Sequence, residues 1–129
     1  MSNPIFKQID FISKDYNELK FMSVGRLVYQ KNYEMMIDCF CEFVKKFPNS
    51  TLDIYGEGNL KMQLIESINK KGLSDNITLH PYAEDIDSEY KKYNYFLFTS
   101  LFEGFPNVLV EAISNSLICI TTNFNESAK

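Results

Sequence analysis

Five short runs rich in β-branched and aromatic residues punctuate this chain, at 21–24, 51–55, 77–80, 95–99 and 117–121, and between them the apolar spacing changes to a helical period. Runs of four or five residues are too short for helices, and their composition suits a pleated, half-buried surface. Between the first two runs Met36, Ile37, Phe40, Val44 and Phe47 recur at three- and four-residue steps, and after the second Leu60, Leu64, Ile65 and Ile68 do the same. Ile86, Tyr90 and Tyr93 mark a shorter helix before the fourth run, and Val108, Leu109, Ala112 and Ile113 another after it. Each pattern leaves one apolar stripe to bury.

Strands that alternate with helices imply parallel pairing, because a parallel connection must cross over the sheet, and the crossovers lay helices on it. The sequence therefore predicts an α/β fold: a doubly wound, mainly parallel, Rossmann-like sheet with helices on both faces. Punctuation agrees, since Phe47-Pro48-Asn49-Ser50 ends the first helix, Lys71-Gly72 the second, and Pro106 suits the first position of the fourth. With 129 residues, 45% hydrophobic and 23% charged, and no internal repeat or low-complexity linker, one domain spanning 1–129 is expected.

A net charge of -4 argues against a nucleic-acid partner, whose affinity comes mainly from neutralising phosphates, so any anion site must be local. Cys39, Cys41 and Cys119 show no metal-ligand or disulfide spacing and read as reduced, buried thiols. The first residues lack a secretory pattern, and no apolar run approaches the ~18 residues that span a bilayer. A cytoplasmic protein is expected, and peripheral attachment at the inner face of the membrane stays compatible with the sequence.

In open parallel sheets ligands sit outside the carboxyl ends of the strands, which selects the loops to inspect. After the first strand, Gly25, Arg26 and Lys31 approach a helix N-terminus; Arg offers a planar fork, Lys a mobile charge, and the helix its free N–H groups, a set suited to a diphosphate. Two solvated surface cations are the competing reading. Gly56-Glu57-Gly58 lacks the third glycine of a dinucleotide fingerprint, carrying Lys61 there, and reads as turn chemistry that supplies positive φ. After the fourth strand, Glu103 precedes Pro106 at the mouth of the loop, and Glu111 lies inside the next helix, an ordinary exposed charge or a ligand contact. Between them Gly104, Phe105, Pro106 and Asn107 let backbone approach a ligand, and the N–H groups of Asn107 and Val108 are expected to be free at the helix start. His80, the single histidine, has no acidic, Ser or Cys partner at a recognisable spacing, so a catalytic or metal role is disfavoured.

Val24-Gly25-Arg26-Leu27 with Lys31-Asn32, then Leu52 to Gly58, then Glu103-Gly-Phe-Pro-Asn-Val-Leu-Val-Glu111-Ala112, together and in this order, resemble the C-terminal, donor-binding domain of the group 1 (family 4) glycosyltransferases of GT-B fold. The resemblance covers nearly the whole chain. It implies transfer of a sugar from a UDP- or GDP-sugar donor, with retention of configuration and without a bound metal or other cofactor, to a sugar or lipid-linked acceptor in cell-surface polysaccharide or glycolipid synthesis. By matching positions, Arg26 and Lys31 hold the diphosphate, Glu111 binds the ribose hydroxyls, Glu103 contacts the transferred sugar, and the backbone from Gly104 to Val108 binds sugar and phosphate. Arg26, Lys31 and Glu103 are the residues placed at the chemistry.

Two positions depart from the family pattern. Pro81 stands where Gly is frequent, and Ser116 where Gly commonly precedes the fifth strand. The family's acceptor domain and its last βα unit lie outside these 129 residues, so the expectation is a fragment that turns over little alone and tends to self-associate. A non-catalytic module of the same fold acting with a partner chain is the alternative, and a nicotinamide-dependent enzyme is disfavoured by the missing glycine.

Overall fold

The computed structural model describes residues 14–29, 32–99 and 107–121. Among the described residues nine elements alternate as the spacing predicts: β1 (Lys20–Val24), α1 (Tyr33–Lys46), β2 (Thr51–Tyr55), α2 (Lys61–Lys70), β3 (Ile77–His80), α3 (Ile86–Tyr90), β4 (Tyr95–Phe98), α4 (Asn107–Ser114) and β5 (Ile118–Thr121). The strands form one sheet in the order β3-β2-β1-β4-β5, every pair parallel.

Alternation along each strand divides the core in two. Phe21, Leu52, Ile54 and Ile77 face α1 and α2, meeting Met36, Ile37, Phe40, Leu64 and Ile68. Met22, Tyr55 and Phe96 face the other way, onto Tyr90 at the end of α3 and Ala112 of α4. The doubly wound arrangement with helices on both faces is thus realised side chain by side chain. Leu27, Ile37, Leu52, Ile54 and Leu64 are fully buried, each contributing about 1.5–3 kcal/mol relative to exposure.

Asn94, buried before β4, donates to the carbonyls of Asp15 and Glu18 at 2.8 and 2.7 Å and ties the entry of the chain to the sheet. Two helices end alike. Past α2, Gly72 has φ of 70° and Leu73 N–H returns to the Ile68 carbonyl at 2.9 Å. Past α4, Ser116 has φ of 67° and Leu117 N–H returns to the Ala112 carbonyl at 3.0 Å. Both are Schellman ends, with a left-handed residue where the helix turns off.

Three expectations need correction. Gly56 and Gly58 do not adopt positive φ; among the described residues Gly72 is the glycine that does. What the pair supplies is closeness: a Cβ on Gly56 would run into the Gly25 carbonyl, and one on Gly58 would stand 2.7 Å from the Leu27 amide nitrogen. Cys39 is exposed and Cys41 and Cys119 only part-buried, although all three are free thiols, because Cys39 falls outside the apolar stripe of α1. Finally, the fourth strand ends at Phe98 rather than 99 and the fifth begins at Ile118 rather than 117, each one residue inside the predicted run.

Candidate functional site

The strand order reverses between β1 and β4, so the loops leaving their carboxyl ends flank a crevice, the place where an open parallel sheet receives a ligand. The β1–α1 loop is held from beneath. Gly25 N–H donates to the Tyr55 carbonyl at 3.0 Å, Leu27 N–H to Glu57 at 2.9 Å, and Leu60 N–H to Leu27 at 3.0 Å. Leu27 is fully buried, and Arg26, between these two anchored residues, is exposed at the rim. The two glycines after β2 make this possible by letting the neighbouring loop close on the Gly25–Leu27 backbone.

At the start of α1, Asn32 adopts the left-handed conformation with φ of 53° and ψ of 46°, a region that Asn enters more readily than most residues. Its carbonyl accepts from Thr99 Oγ1 at 3.2 Å. The loop after β4 and the start of α1 are thereby joined across the crevice.

Of the expected site residues, the structure describes Gly25, Arg26, Asn107, Val108 and Glu111. Lys31, Glu103, Gly104, Phe105 and Pro106 lie outside the described residues. The fourth helix begins at Asn107, Val108 packs against the cluster that holds Tyr90, and Glu111 is exposed one position before the buried Ala112. Tyr90 donates its hydroxyl to Glu111 Oε1 at 3.0 Å.

Beside these residues lies a polar network that joins side chains far apart in sequence. His80 does have an acidic partner: its Nε2 meets Asp53 Oδ1 at 2.8 Å, because β2 and β3 are neighbours and bring together residues 27 positions apart. The imidazole stacks on Tyr55 with centroids 4.6 Å apart and planes 15° from parallel. Tyr93 donates to Asp53 Oδ2 at 2.8 Å, Tyr55 lies 2.7 Å from Glu89 Oε1, and the two phenol oxygens are 2.7 Å from each other. Burial, with the nearby Glu89 and Asp53 carboxylates, pushes the Tyr55 phenol up to about 12. The Tyr55 hydroxyl, and after it Lys92, hold the Glu89 carboxyl below its ordinary range. A signal existed: Asp53 is the one charged residue in Thr51–Tyr55, on the same strand face as Tyr55.

Among the described residues no group of His, Cys, Asp and Glu is arranged to hold a metal ion, and no helix is long and apolar enough to cross a membrane. The described chemistry is an exposed guanidinium on an anchored loop, a helix start, and a carboxylate held by a phenol.

Residues 5–129 match the sequence model of a family described as glycosyl transferases group 1. An uncharacterized glycosyltransferase of Methanocaldococcus jannaschii is 38% identical over 122 residues, which cover 95% of this chain and 30% of that protein. The capsular polysaccharide biosynthesis glycosyltransferase CapH of Staphylococcus aureus is 30% identical over 128 residues, 95% of this chain and 36% of that one. Among solved structures, the pneumococcal O-GlcNAc transferase GtfA in complex with UDP and GlcNAc superposes with a TM-score of 0.78 at 29% identity, over 88% of this chain and 23% of that one. The chain thus spans about a third of the length of the curated relatives it matches here.

Proposed function

The chain belongs to the glycosyl transferases group 1 family, and from that premise we propose that it is the donor-binding domain of a retaining glycosyltransferase, which moves a sugar from a nucleoside diphosphate to an acceptor in cell-surface polysaccharide or glycolipid synthesis. The observation that carries the reading is the placement of Arg26, exposed on a loop anchored by Leu27 and Gly25, on the crevice where the strand order reverses. The capsular role named for CapH and the UDP named with GtfA support the class of pathway and of donor.

In this account Arg26 and Lys31 hold the diphosphate, the N–H groups at the start of α4 and the backbone from Gly104 add hydrogen bonds to phosphate and sugar, Glu103 positions the transferred sugar, and Glu111 accepts from the ribose hydroxyls. As the bond between the anomeric carbon and the diphosphate oxygen breaks, negative charge grows on the leaving group. Arg26 and Lys31 stabilise that charge more than they stabilise the bound donor, and this difference is what accelerates transfer. The acceptor oxygen bonds to the anomeric carbon on the face the diphosphate leaves, and the acceptor proton passes to the departing phosphate oxygen. The acceptor comes from the part of the enzyme beyond this domain, so this domain alone binds donor but turns over little.

Titration of the chain with UDP and with GDP, followed by backbone amide shifts, tests the reading. Shifts are expected at Gly25, Arg26, Val108 and Glu111 with at least one of the two; no response to either nucleotide overturns it.

A further inference from the structure

Glu111 is exposed on α4, yet its carboxylate is tied to the interior. Tyr90 is fully buried, packed with Met22, Phe96, Ala112 and Leu117, and its hydroxyl reaches Glu111 Oε1 at 3.0 Å. The ring alone would fill this site as phenylalanine. A buried hydroxyl needs a partner, and here the partner is the carboxylate of Glu111, a residue exposed on α4. Burial, and then the charge of Glu111 itself, push the Tyr90 phenol well above its ordinary range, so it remains a donor.

We propose that Tyr90 is a positioning residue: its hydroxyl fixes the Glu111 carboxylate through Oε1 so that Oε2 is oriented in advance to accept from the ribose hydroxyls of a nucleoside diphosphate. The inference rests on the reading of Glu111 given above and deepens it. A glutamate on a helix surface samples several rotamers and must be ordered when a ligand binds. A neutral donor locked by core packing removes that ordering beforehand while leaving the negative charge intact, which is preorganisation of a binding group by the shell behind it.

The test is the preference of the full chain for UDP over its dideoxyribose analogue, measured as a ratio of dissociation constants in the wild type, Tyr90→Phe, Glu111→Ala and the double variant. About tenfold preference is expected in the wild type, the size of a hydrogen bond to a charged group, falling to about threefold in Tyr90→Phe. In the Glu111→Ala background the Tyr90→Phe change should alter neither the preference nor the affinity, which separates action through Glu111 from a general loosening of the core. An undiminished preference in Tyr90→Phe, or an equal effect with and without Glu111, overturns the proposal while leaving nucleotide binding standing. Absence of any nucleotide binding by the wild type overturns both. If Tyr90→Phe fails to fold, 4-fluorophenylalanine in place of Tyr90 fills the volume of the hydroxyl but donates no hydrogen bond, and an undiminished preference there overturns the proposal equally.

Discussion

The hydroxyl oxygens of Tyr55 and Tyr93 lie 2.7 Å apart, with Glu89 beyond the first and Asp53 beyond the second. Two phenolic protons therefore serve three oxygen–oxygen contacts, and neither phenol can ionise without placing a third negative charge beside the two carboxylates. Burial, above all, raises the folded-state phenol of Tyr55 to about 12 and also raises those of Tyr93 and Tyr90. A pKa raised on folding contributes stability that is complete below the unfolded value, near 10, and is lost as pH climbs through the folded one. Denaturant midpoints should fall from pH about 10 upward, and the phenolate absorbance of these tyrosines should appear together with unfolding. Full ionisation of all eight tyrosines near pH 10 with the fold intact would contradict this.

Gly58→Ala should be costly although glycine there has no unusual φ. The added carbon meets the backbone of Leu27, which is fully buried and cannot retreat, so the two loops must separate. A loss of about 3 kcal/mol in urea unfolding is expected, the upper part of the range for overpacking. Gly72→Ala is the contrast: open space surrounds it, and only the left-handed backbone resists, for about 1 kcal/mol. Equal costs for the two would refute the assignment.

Ser116→Gly should stabilise the domain. Ser116 occupies the left-handed position that Gly72 fills at the equivalent helix end, and among the described residues no side-chain bond of Ser116 offsets the strain; Tyr16 uses only its carbonyl. Relief of left-handed strain, less the entropy of the added glycine, leaves a gain of about 1 kcal/mol, or a melting temperature higher by about 4 °C. An unchanged or lower melting temperature would count against it.

The same residues show what could be read from the chain and what could not. Element order, parallel pairing and both helical faces follow from local periodicity, since Leu52 and Ile54 point to one side and Asp53 and Tyr55 to the other whatever lies around them. The place of Gly25 and Arg26 in the loop leaving the carboxyl end of β1 follows from the strand boundary alone, and the rule that such loops face ligands is what selects them for inspection. The bonds of His80 to Asp53 and of Tyr90 to Glu111 depend on which strands and helices become neighbours, which no spacing along the chain encodes. The role of Gly56 and Gly58 is hidden for the same reason: positive φ is a local property, whereas close approach to Gly25 and Leu27 exists only once β1 and β2 are paired.

The proposed donor site sets Arg26 against a diphosphate at the crevice between β1 and β4. Affinities for UDP and UMP, measured by calorimetry on the wild type and Arg26→Ala, test it most directly. UDP should bind the wild type about tenfold more tightly than UMP, a difference typical of one charge-assisted contact, and Arg26→Ala should erase most of that advantage while leaving UMP affinity and the melting temperature nearly unchanged. Equal affinity for the two nucleotides in the wild type, or an advantage for UDP that survives Arg26→Ala, would contradict the account.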